Sequence, residues 1–336
     1  MGRAAELKLS PPTLDELRAA RDRVSGHIVR TPLLRLPPLP GEPELWLKLE
    51  TLQPIGSFKL RGAANALGRV AAESLARGVY TASAGNMAQG VAWCARAMGV
   101  PCTVVVPDHA PRAKLEAVER LGARIVPVPF ARWWQVMVER RYEGLEGHFV
   151  HPVSDPDVIA GNGTLGLELL EDLPGLANVL VPYGGGGLSC GVAAALRAAG
   201  SSAQVFGCEV ETAAPLSASF RAREPRTIDY RASFVDGIGG RSLLEEMWPL
   251  ASTLLAGALL VSLEEIAAAI RLLVARVRVV AEGAGAAGVA AALSGRPATG
   301  LGGDSIARSG GPTVCVVSGG NIDVGKLATI LEGRLP

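Results

Sequence analysis

Short runs of β-branched residues alternate along this chain with segments of helical periodicity, and this alternation is the strongest constraint on its fold. In the first half, the strand-like runs cover residues 79–83, 102–107 and 124–129. Helices are predicted between them, from Asn86 to about Met98 and from near Pro111 to Gly122. Proline at a helix start and glycine just past its end are the usual boundaries. This order predicts a parallel sheet with helices on its faces.

A second series of the same kind follows. Its strand-like runs cover residues 178–183, 204–210 and 313–319. One helix is predicted near Leu188, and another after Ser262, which forms a capping box with Glu265; Thr13 and Glu16 predict a similar box near the N-terminus. The two series predict an α/β enzyme of two lobes, each a mainly parallel twisted sheet flanked by helices. The active site is expected between the lobes, at the carboxyl ends of the strands.

Composition supports a large core and excludes several classes of protein. Of 336 residues, 49% are hydrophobic and 19% charged, and the net charge of +1 with no basic run leaves no footprint for nucleic acid. The five cysteines form no C-x-x-C pair, so we expect neither a disulfide framework nor zinc, and a reducing cytoplasmic setting. No signal peptide is apparent, and the longest uncharged run, Met247 to Leu263, is too short to span a membrane. We therefore expect a soluble protein.

One stretch carries four consecutive glycines between a predicted strand and the next helix: Gly184, Gly185, Gly186 and Gly187. Backbone without side chains can wrap closely around a ligand, and the helix start adds the positive end of its dipole, which is typical of a phosphate site. A flexible turn is the alternative. A dinucleotide site is a rival, because Glu209 lies about 20 residues on, where an acid could hold a ribose. However, the G-x-G-x-x-G/A pattern fails at Ser189 and Cys190, which favours a compact phosphate ester.

Two further turns and one lysine carry polar groups. In "TASAGNMAQG" (81–90), Ser83, Gly85 and Asn86 present amides and side chains that suit a carboxylate, although an ordinary N-cap on Ser83 or Asn86 is the alternative. In "VVSGGN" (316–321), Ser318 lies at a strand tip. Lys59, in "GSFKLRG", precedes a Leu-Arg-Gly turn and is either a solvated surface charge or a reactive amine in a pocket. The four histidines share no metal-ligand spacing.

Taken in order, these motifs resemble the threonine dehydratase and serine racemase group of fold type II (tryptophan synthase β-like) pyridoxal-phosphate enzymes. The resemblance covers nearly the whole chain and includes "LKLETLQPIGSFKLRGA", "SAGNMAQG", "HPVSDPDVIAGNGT", "VPYGGGGL", "FVDGIGG", "VAEGAGA" and "VVSGGN". It implies a large cofactor-binding domain, residues 1–50 and 151–336, and a small substrate-side domain, residues 51–150. Because the chain ends about 15 residues after "SGGN", we expect no C-terminal regulatory domain.

The resemblance also implies roles for individual residues. Lys59 would form a Schiff base with pyridoxal 5'-phosphate and take the substrate α-proton. Phe58 would pack on the cofactor ring, Asn86 would contact its hydroxyl, Ser318 its pyridine nitrogen, and Glu282 would lie nearby. The cofactor phosphate would bind Gly184, Gly185, Gly186, Gly187 and Leu188. The substrate carboxylate would bind the turn formed by Ser83, Ala84, Gly85, Asn86 and Met87.

The implied reaction is elimination of water from L-threonine or L-serine to give a 2-oxo acid and ammonia, by a homodimer or homotetramer. Ala84 stands where racemases of the group carry a second serine, which favours dehydration over racemisation. Met87 replaces a common histidine and Gly283 a proline, and with the Trp133–Trp134 pair they leave the substrate side chain open. The tryptophans are otherwise explained by packing.

Other interpretations remain. The alternatives are a dehydratase of a bulkier β-hydroxy amino acid, a racemase, a low-turnover pyridoxal-phosphate-binding protein, and a nicotinamide dehydrogenase. Some relatives bind a divalent cation through a glutamate and an acid six residues later. Here Glu209 matches the first position but Pro215 stands at the second, so we expect no metal site.

Overall fold

The computed structural model describes residues 8–38, 43–300 and 311–336. Within these ranges the strands are β1 (Leu33–Leu36), β2 (Leu45–Leu49), β3 (Val79–Ala82), β4 (Cys102–Pro107), β5 (Arg124–Val128), β6 (His148–Phe149), β7 (Asn178–Pro182), β8 (Gln204–Val210), β9 (Gly257–Val261) and β10 (Thr313–Val317). The α-helices are α1 (Leu14–Val24), α2 (Lys59–Leu67), α3 (Ala72–Ala76), α4 (Asn86–Met98), α5 (Arg112–Arg120), α6 (Phe130–Glu139), α7 (Pro156–Asp172), α8 (Gly187–Ala198), α9 (Pro215–Ala222), α10 (Trp248–Leu254), α11 (Leu263–Leu272), α12 (Gly283–Ser294) and α13 (Val324–Leu331).

The strands form two sheets. The larger has the order β1-β2-β10-β7-β8-β9 and is parallel except for β1, which pairs antiparallel with β2. The smaller has the order β5-β4-β3-β6 and is parallel throughout. Its strands all lie between residues 79 and 149, inside the range expected for a small domain. The domain boundaries themselves stay a prediction.

The central strands of the larger sheet are covered on both faces, as is usual for parallel strands. Every residue of β7 and β10 is buried, which explains why their sequences read as continuous apolar runs rather than alternating ones. The predicted capping boxes are confirmed at Thr13 with Glu16 and at Ser262 with Glu265. Among the described residues, no helix is long and apolar enough to cross a membrane.

The strands and helices predicted from the alternating pattern are confirmed to within a few residues. Several other elements were not predicted: β1, β2, β6, β9, α2, α3, α6, α7, α9, α10, α12 and α13. Helix α7 contains Gly161, Gly163 and Gly166, which lower intrinsic helix propensity. These glycines are sites of close packing: a Cβ at Gly161 would lie 2.4 Å from the carbonyl oxygen of Arg61, and one at Gly163 would lie 2.8 Å from that of Gly191. Tertiary contacts with α2 and α8 therefore override the local preference.

Candidate active site

A cavity of about 470 Å³ lies between the two sheets, at the carboxyl ends of their strands. The structure brings the residues predicted for the site together in its walls, although they are spread over more than 250 positions of sequence. The predicted residues that line it are Phe58, Lys59, Ser83, Ala84, Gly85, Asn86, Met87, Gly184, Gly185, Gly186, Gly187, Leu188, Glu282 and Ser318.

Lys59 is the first residue of α2, so the predicted Leu-Arg-Gly turn is wrong: those residues continue the helix. Its Nζ donates a hydrogen bond to the carbonyl oxygen of Pro152 at 2.7 Å and lies 5.2 Å from the centre of the Phe58 ring. Burial lowers the pKa of Lys59 to about 8, although the charge of Glu282 acts in the opposite direction. The lysine is an amine held in a cavity wall, not a solvated surface charge.

Pro152 lies between two residues, His151 and Ser154, whose side chains form hydrogen bonds that were not predicted from the sequence. His151 Nδ1 accepts from the backbone N–H of Ser154 at 2.9 Å. Ser154 Oγ donates to Glu246 Oε1 at 2.8 Å and accepts from Arg140 Nη2 at 2.6 Å. Burial, with the charge of Arg140, lowers the pKa of His151 to about 3, so this ring stays neutral and can accept. Only "HPVSDP" in the sequence pointed to this segment.

The glycine loop connects β7 to α8 and forms a cradle that side chains could not fit. Gly186 is the N-cap of α8 with a φ of +94°, in the left-handed region that favours glycine, and no side chain caps the helix. A Cβ at Gly185 would lie 2.4 Å from a side-chain carbon of Val153. Backbone amides at an uncapped helix start suit an anion, so the loop fits a phosphate group.

The turn after β3 presents a second uncapped helix start to the cavity. Gly85 is the N-cap of α4 and no side chain caps this helix, while Ser83 Oγ accepts from the Gly85 N–H at 3.2 Å. An ordinary N-cap on Ser83 or Asn86 is therefore wrong. Met87 is buried, with 1% of its surface exposed, and its thioether gives this part of the wall an apolar character. The turn can receive a carboxylate.

Asn86 joins the two sides of the cavity. Its Nδ2 donates to Glu282 Oε1 at 2.9 Å, and its Oδ1 accepts from Asn321 Nδ2 at 2.8 Å. Burial, with the nearby charge of Asp236, raises the pKa of Glu282 to about 7, although the Asn86 hydrogen bond acts against this. Asn321 and Asp236 were not predicted, although both lie in motifs noted above, "VVSGGN" and "FVDGIGG". Asn86, at the start of α4, is thus joined by hydrogen bonds to the residue before α12 and to the segment after β10.

Ser318 follows β10 directly, is buried and lines the cavity. Its carbonyl oxygen accepts from the backbone N–H of Phe58 at 3.0 Å, which ties the segment before α2 to the end of β10. The side chain that Ser318 adds to the cavity wall is a neutral hydroxyl.

Glu209 lies outside the described cavity lining. Its carboxylate accepts from the backbone N–H groups of Leu216 and Ser217, at 2.7 and 2.8 Å, and from Ser217 Oγ at 2.7 Å. Burial raises its pKa to about 7, against the effect of these hydrogen bonds. Both oxygens are engaged at the start of α9, which gives no support to the alternative in which Glu209 holds a ribose.

Comparisons with known proteins agree with this arrangement. A family profile described as "Pyridoxal-phosphate dependent enzyme" matches residues 24–319. The L-threonine ammonia-lyase of Thermotoga maritima is 38% identical over 328 residues, covering 96% of this chain and 79% of that protein. The solved structure of a threonine deaminase from T.th. has a TM-score of 0.83 at 35% identity, over 93% of this chain and 99% of that one. Maize serine racemase has a TM-score of 0.85 at 30% identity, over 96% and 98%.

Proposed function

The chain belongs to the pyridoxal-phosphate-dependent enzyme family, and we propose that, as a member of it, the protein eliminates water from a β-hydroxy amino acid, L-threonine or L-serine. The products are a 2-oxo acid and ammonia. The observation that carries the proposal is the buried Lys59 amine in one cavity with the glycine loop. Similarity to the L-threonine ammonia-lyase of Thermotoga maritima supports the choice of substrates.

The cavity suits pyridoxal 5'-phosphate. The cradle at Gly184–Gly187, which a Cβ would fill, fits its phosphate, and Phe58 and Ser318 are available for its ring. When bound, this cofactor withdraws electrons from the Cα of an attached amino acid and so makes the α-proton acidic.

Lys59 would act twice in this reaction. Its Nζ would hold the cofactor covalently through the aldehyde group, and it would accept the proton from the substrate Cα. Both tasks need a neutral amine, and burial that lowers the pKa to about 8 leaves an appreciable neutral fraction near pH 7. The hydrogen bond to the Pro152 carbonyl orients the amine before it reacts.

The other residues of the cavity wall would bind and orient the substrate and the cofactor. The uncapped start of α4, from Ser83 to Met87, binds the substrate carboxylate through backbone N–H groups. Asn86 is held by Glu282 and Asn321. Its side chain would contact the ring hydroxyl. Ser318 can donate a hydrogen bond to the pyridine nitrogen but supplies no negative charge. This neutral partner would leave the bound cofactor a weaker electron sink, which would favour loss of the β-hydroxyl.

Ala84 supports elimination over racemisation. It lines the cavity in the carboxylate turn and carries no group that can hold a proton. Proton transfer would then occur from the Lys59 face alone.

We further propose a homodimer or homotetramer that works in the cytoplasm, with domain boundaries near residues 50 and 150. The five cysteines are free and buried thiols, which supports a reducing compartment.

The proposal is tested by assaying 2-oxo acid and ammonia formation from L-threonine and L-serine. Lys59→Ala should lose at least about 10³-fold in kcat, whereas Lys8→Ala, which removes an exposed lysine, should not change it. Absence of product from every β-hydroxy amino acid would favour the low-turnover binding protein instead. Rapid formation of D-serine would favour the racemase.

A further inference from the structure

The cavity wall on the α6 side is a row of aromatic rings that the reaction described above does not use. His109, Phe130 and Trp133 all line the cavity. The ring centres of Phe130 and Trp133 are 5.6 Å apart, and those of His109 and Phe130 are 6.0 Å apart, which is the range of favourable aromatic contact. Phe130 is 54% exposed, so much of this apolar ring is accessible to solvent or to a ligand.

Sheet topology places this row on the substrate side of the cavity. In the order β5-β4-β3-β6, the carboxyl end of β6 leads to Pro152, which holds Lys59, and that of β3 leads to the turn that suits a carboxylate. The carboxyl ends of β4 and β5 lead to His109 and to Phe130 with Trp133. Strands are spaced about 4.8 Å apart, so the β5 end lies roughly 10 Å from the β3 turn. An aryl group on the Cβ of an amino acid held at the β3 turn would therefore extend farther across this distance than a methyl group.

Charge in the same region argues against an acidic side chain. The described lining contains no arginine, and apart from Lys59 its ammonium group is that of Lys114. Lys114 Nζ pairs with Asp236 at 2.5 Å, and His109 Nδ1 lies 3.3 Å from Asp108. Met87 adds a buried thioether. Within the described lining, a second substrate carboxylate would therefore find no unpaired cation.

We propose that His109, Phe130 and Trp133 form a side-chain subsite for aryl or other bulky apolar groups, so that β-hydroxy amino acids carrying such a group on Cβ bind more tightly than threonine. This rests on the proposed function, since it places the carboxylate and Cα of an amino acid at the β3 turn and Lys59.

Binding of unreactive amino acids tests the subsite separately from turnover. L-Phenylalanine and L-alanine lack a β-hydroxyl and cannot lose water, so their Kd values for the cofactor-loaded enzyme can be measured by calorimetry. L-Phenylalanine should bind at least about tenfold more tightly than L-alanine. In turnover, L-threo-phenylserine should show a lower KM than L-threonine, and 3-hydroxyaspartate the highest KM.

Two neighbouring tryptophans provide a matched pair of variants. Trp133 lines the cavity, whereas Trp134 is 41% exposed and lies outside the described lining. Trp133→Ala should remove most of the preference for L-phenylalanine while leaving the Kd of L-alanine within about twofold, and Trp134→Ala should leave both unchanged. Trp133→Leu, which keeps apolar packing in case the alanine variant folds poorly, should lose the preference in part.

The outcomes separate the two proposals. Equal Kd values for L-phenylalanine and L-alanine, or equal effects of the two alanine variants, would refute the subsite even if threonine is turned over. Absence of turnover with every β-hydroxy amino acid, together with tight binding of L-phenylalanine, would refute the proposed function and leave the subsite standing.

Discussion

Replacing Arg61 by methionine tests a buried ionic network two residues from Lys59. The Arg61 guanidinium is fully buried and donates to both carboxylate oxygens of Glu50, each at 2.8 Å, and to those of Glu168 at 2.7 and 3.0 Å. Glu168 also pairs with Lys48 at 2.6 Å. The network holds the first turn of α2 against β2 and α7, and thereby the position of Lys59.

The magnitude follows from what Arg61→Met leaves behind. Glu168 keeps Lys48, but Glu50 loses two charge-assisted hydrogen bonds in a site with no exposure. Glu50 keeps hydrogen bonds from Thr31 Oγ1 at 2.7 Å and Gln53 Nε2 at 3.2 Å but loses its paired guanidinium. Removing one partner of a buried ion pair costs about 3–5 kcal/mol of unfolding free energy. Arg69→Met is the matched control: Arg69 pairs with Asp157 at 2.8 Å, but both side chains are over a third exposed, so its loss should cost about 0–1 kcal/mol.

The pH dependence of the free energy of unfolding gives a second, independent test of the network. Burial alone would raise the pKa of Glu50, but Arg61, together with Thr31 and Lys48, holds the pKa below the usual 4.5. In wild type, this contribution to stability is present above pH 4.5 and is lost as the pH falls through the lower folded-state pKa. In Arg61→Met, burial should raise the pKa of Glu50 above 4.5. The loss of unfolding free energy caused by the substitution should therefore become smaller as the pH falls through this raised pKa.

Urea unfolding of the cofactor-loaded protein can be followed by circular dichroism at several pH values. The midpoint and slope of each transition give the free energy of unfolding, and hence both the loss caused by Arg61→Met and its dependence on pH. A loss below about 1 kcal/mol for Arg61→Met, or a loss equal to that of Arg69→Met, would contradict this account of the network.

Three further predictions concern the site. The rate at which the apoprotein binds pyridoxal phosphate should rise about tenfold per pH unit until about pH 8 and then level off, because the neutral Lys59 amine is required; a flat profile by visible absorbance would contradict this. Gly185→Ala should raise the cofactor Kd at least about tenfold, because its Cβ would lie 2.4 Å from a valine carbon, whereas Gly175→Ala, with nothing within 4 Å, should leave the Kd unchanged. Ala84→Ser should add D-serine formation from L-serine, measured by chiral chromatography, because a hydroxyl then lies on the face opposite Lys59.

The strand and helix order was predictable because it depends on local patterns. β-branched runs, helix caps and a four-glycine turn each reflect the preferences of a few consecutive residues, and β7, α8 and the capping boxes lie where those patterns indicated. Dependence on local patterns also explains why some elements were not predicted. The glycines of α7 indicate a poor helix when taken alone, and only their contacts with α2 and α8 make the helix favourable.

Sequence patterns alone were enough for the α/β class and for a loop that suits a phosphate group. The choice of Lys59 as the reactive amine came from the family resemblance. The surroundings of that amine depend on how the chain folds. Its acceptor, the Pro152 carbonyl, lies 93 residues away, and the hydrogen bond from Asn86 to Glu282 joins residues 196 apart. Folding also selects which of two adjacent tryptophans faces the cavity. Such contacts carry no local pattern, because the energy that selects them comes from burial and hydrogen bonding between elements that meet only when the chain has folded.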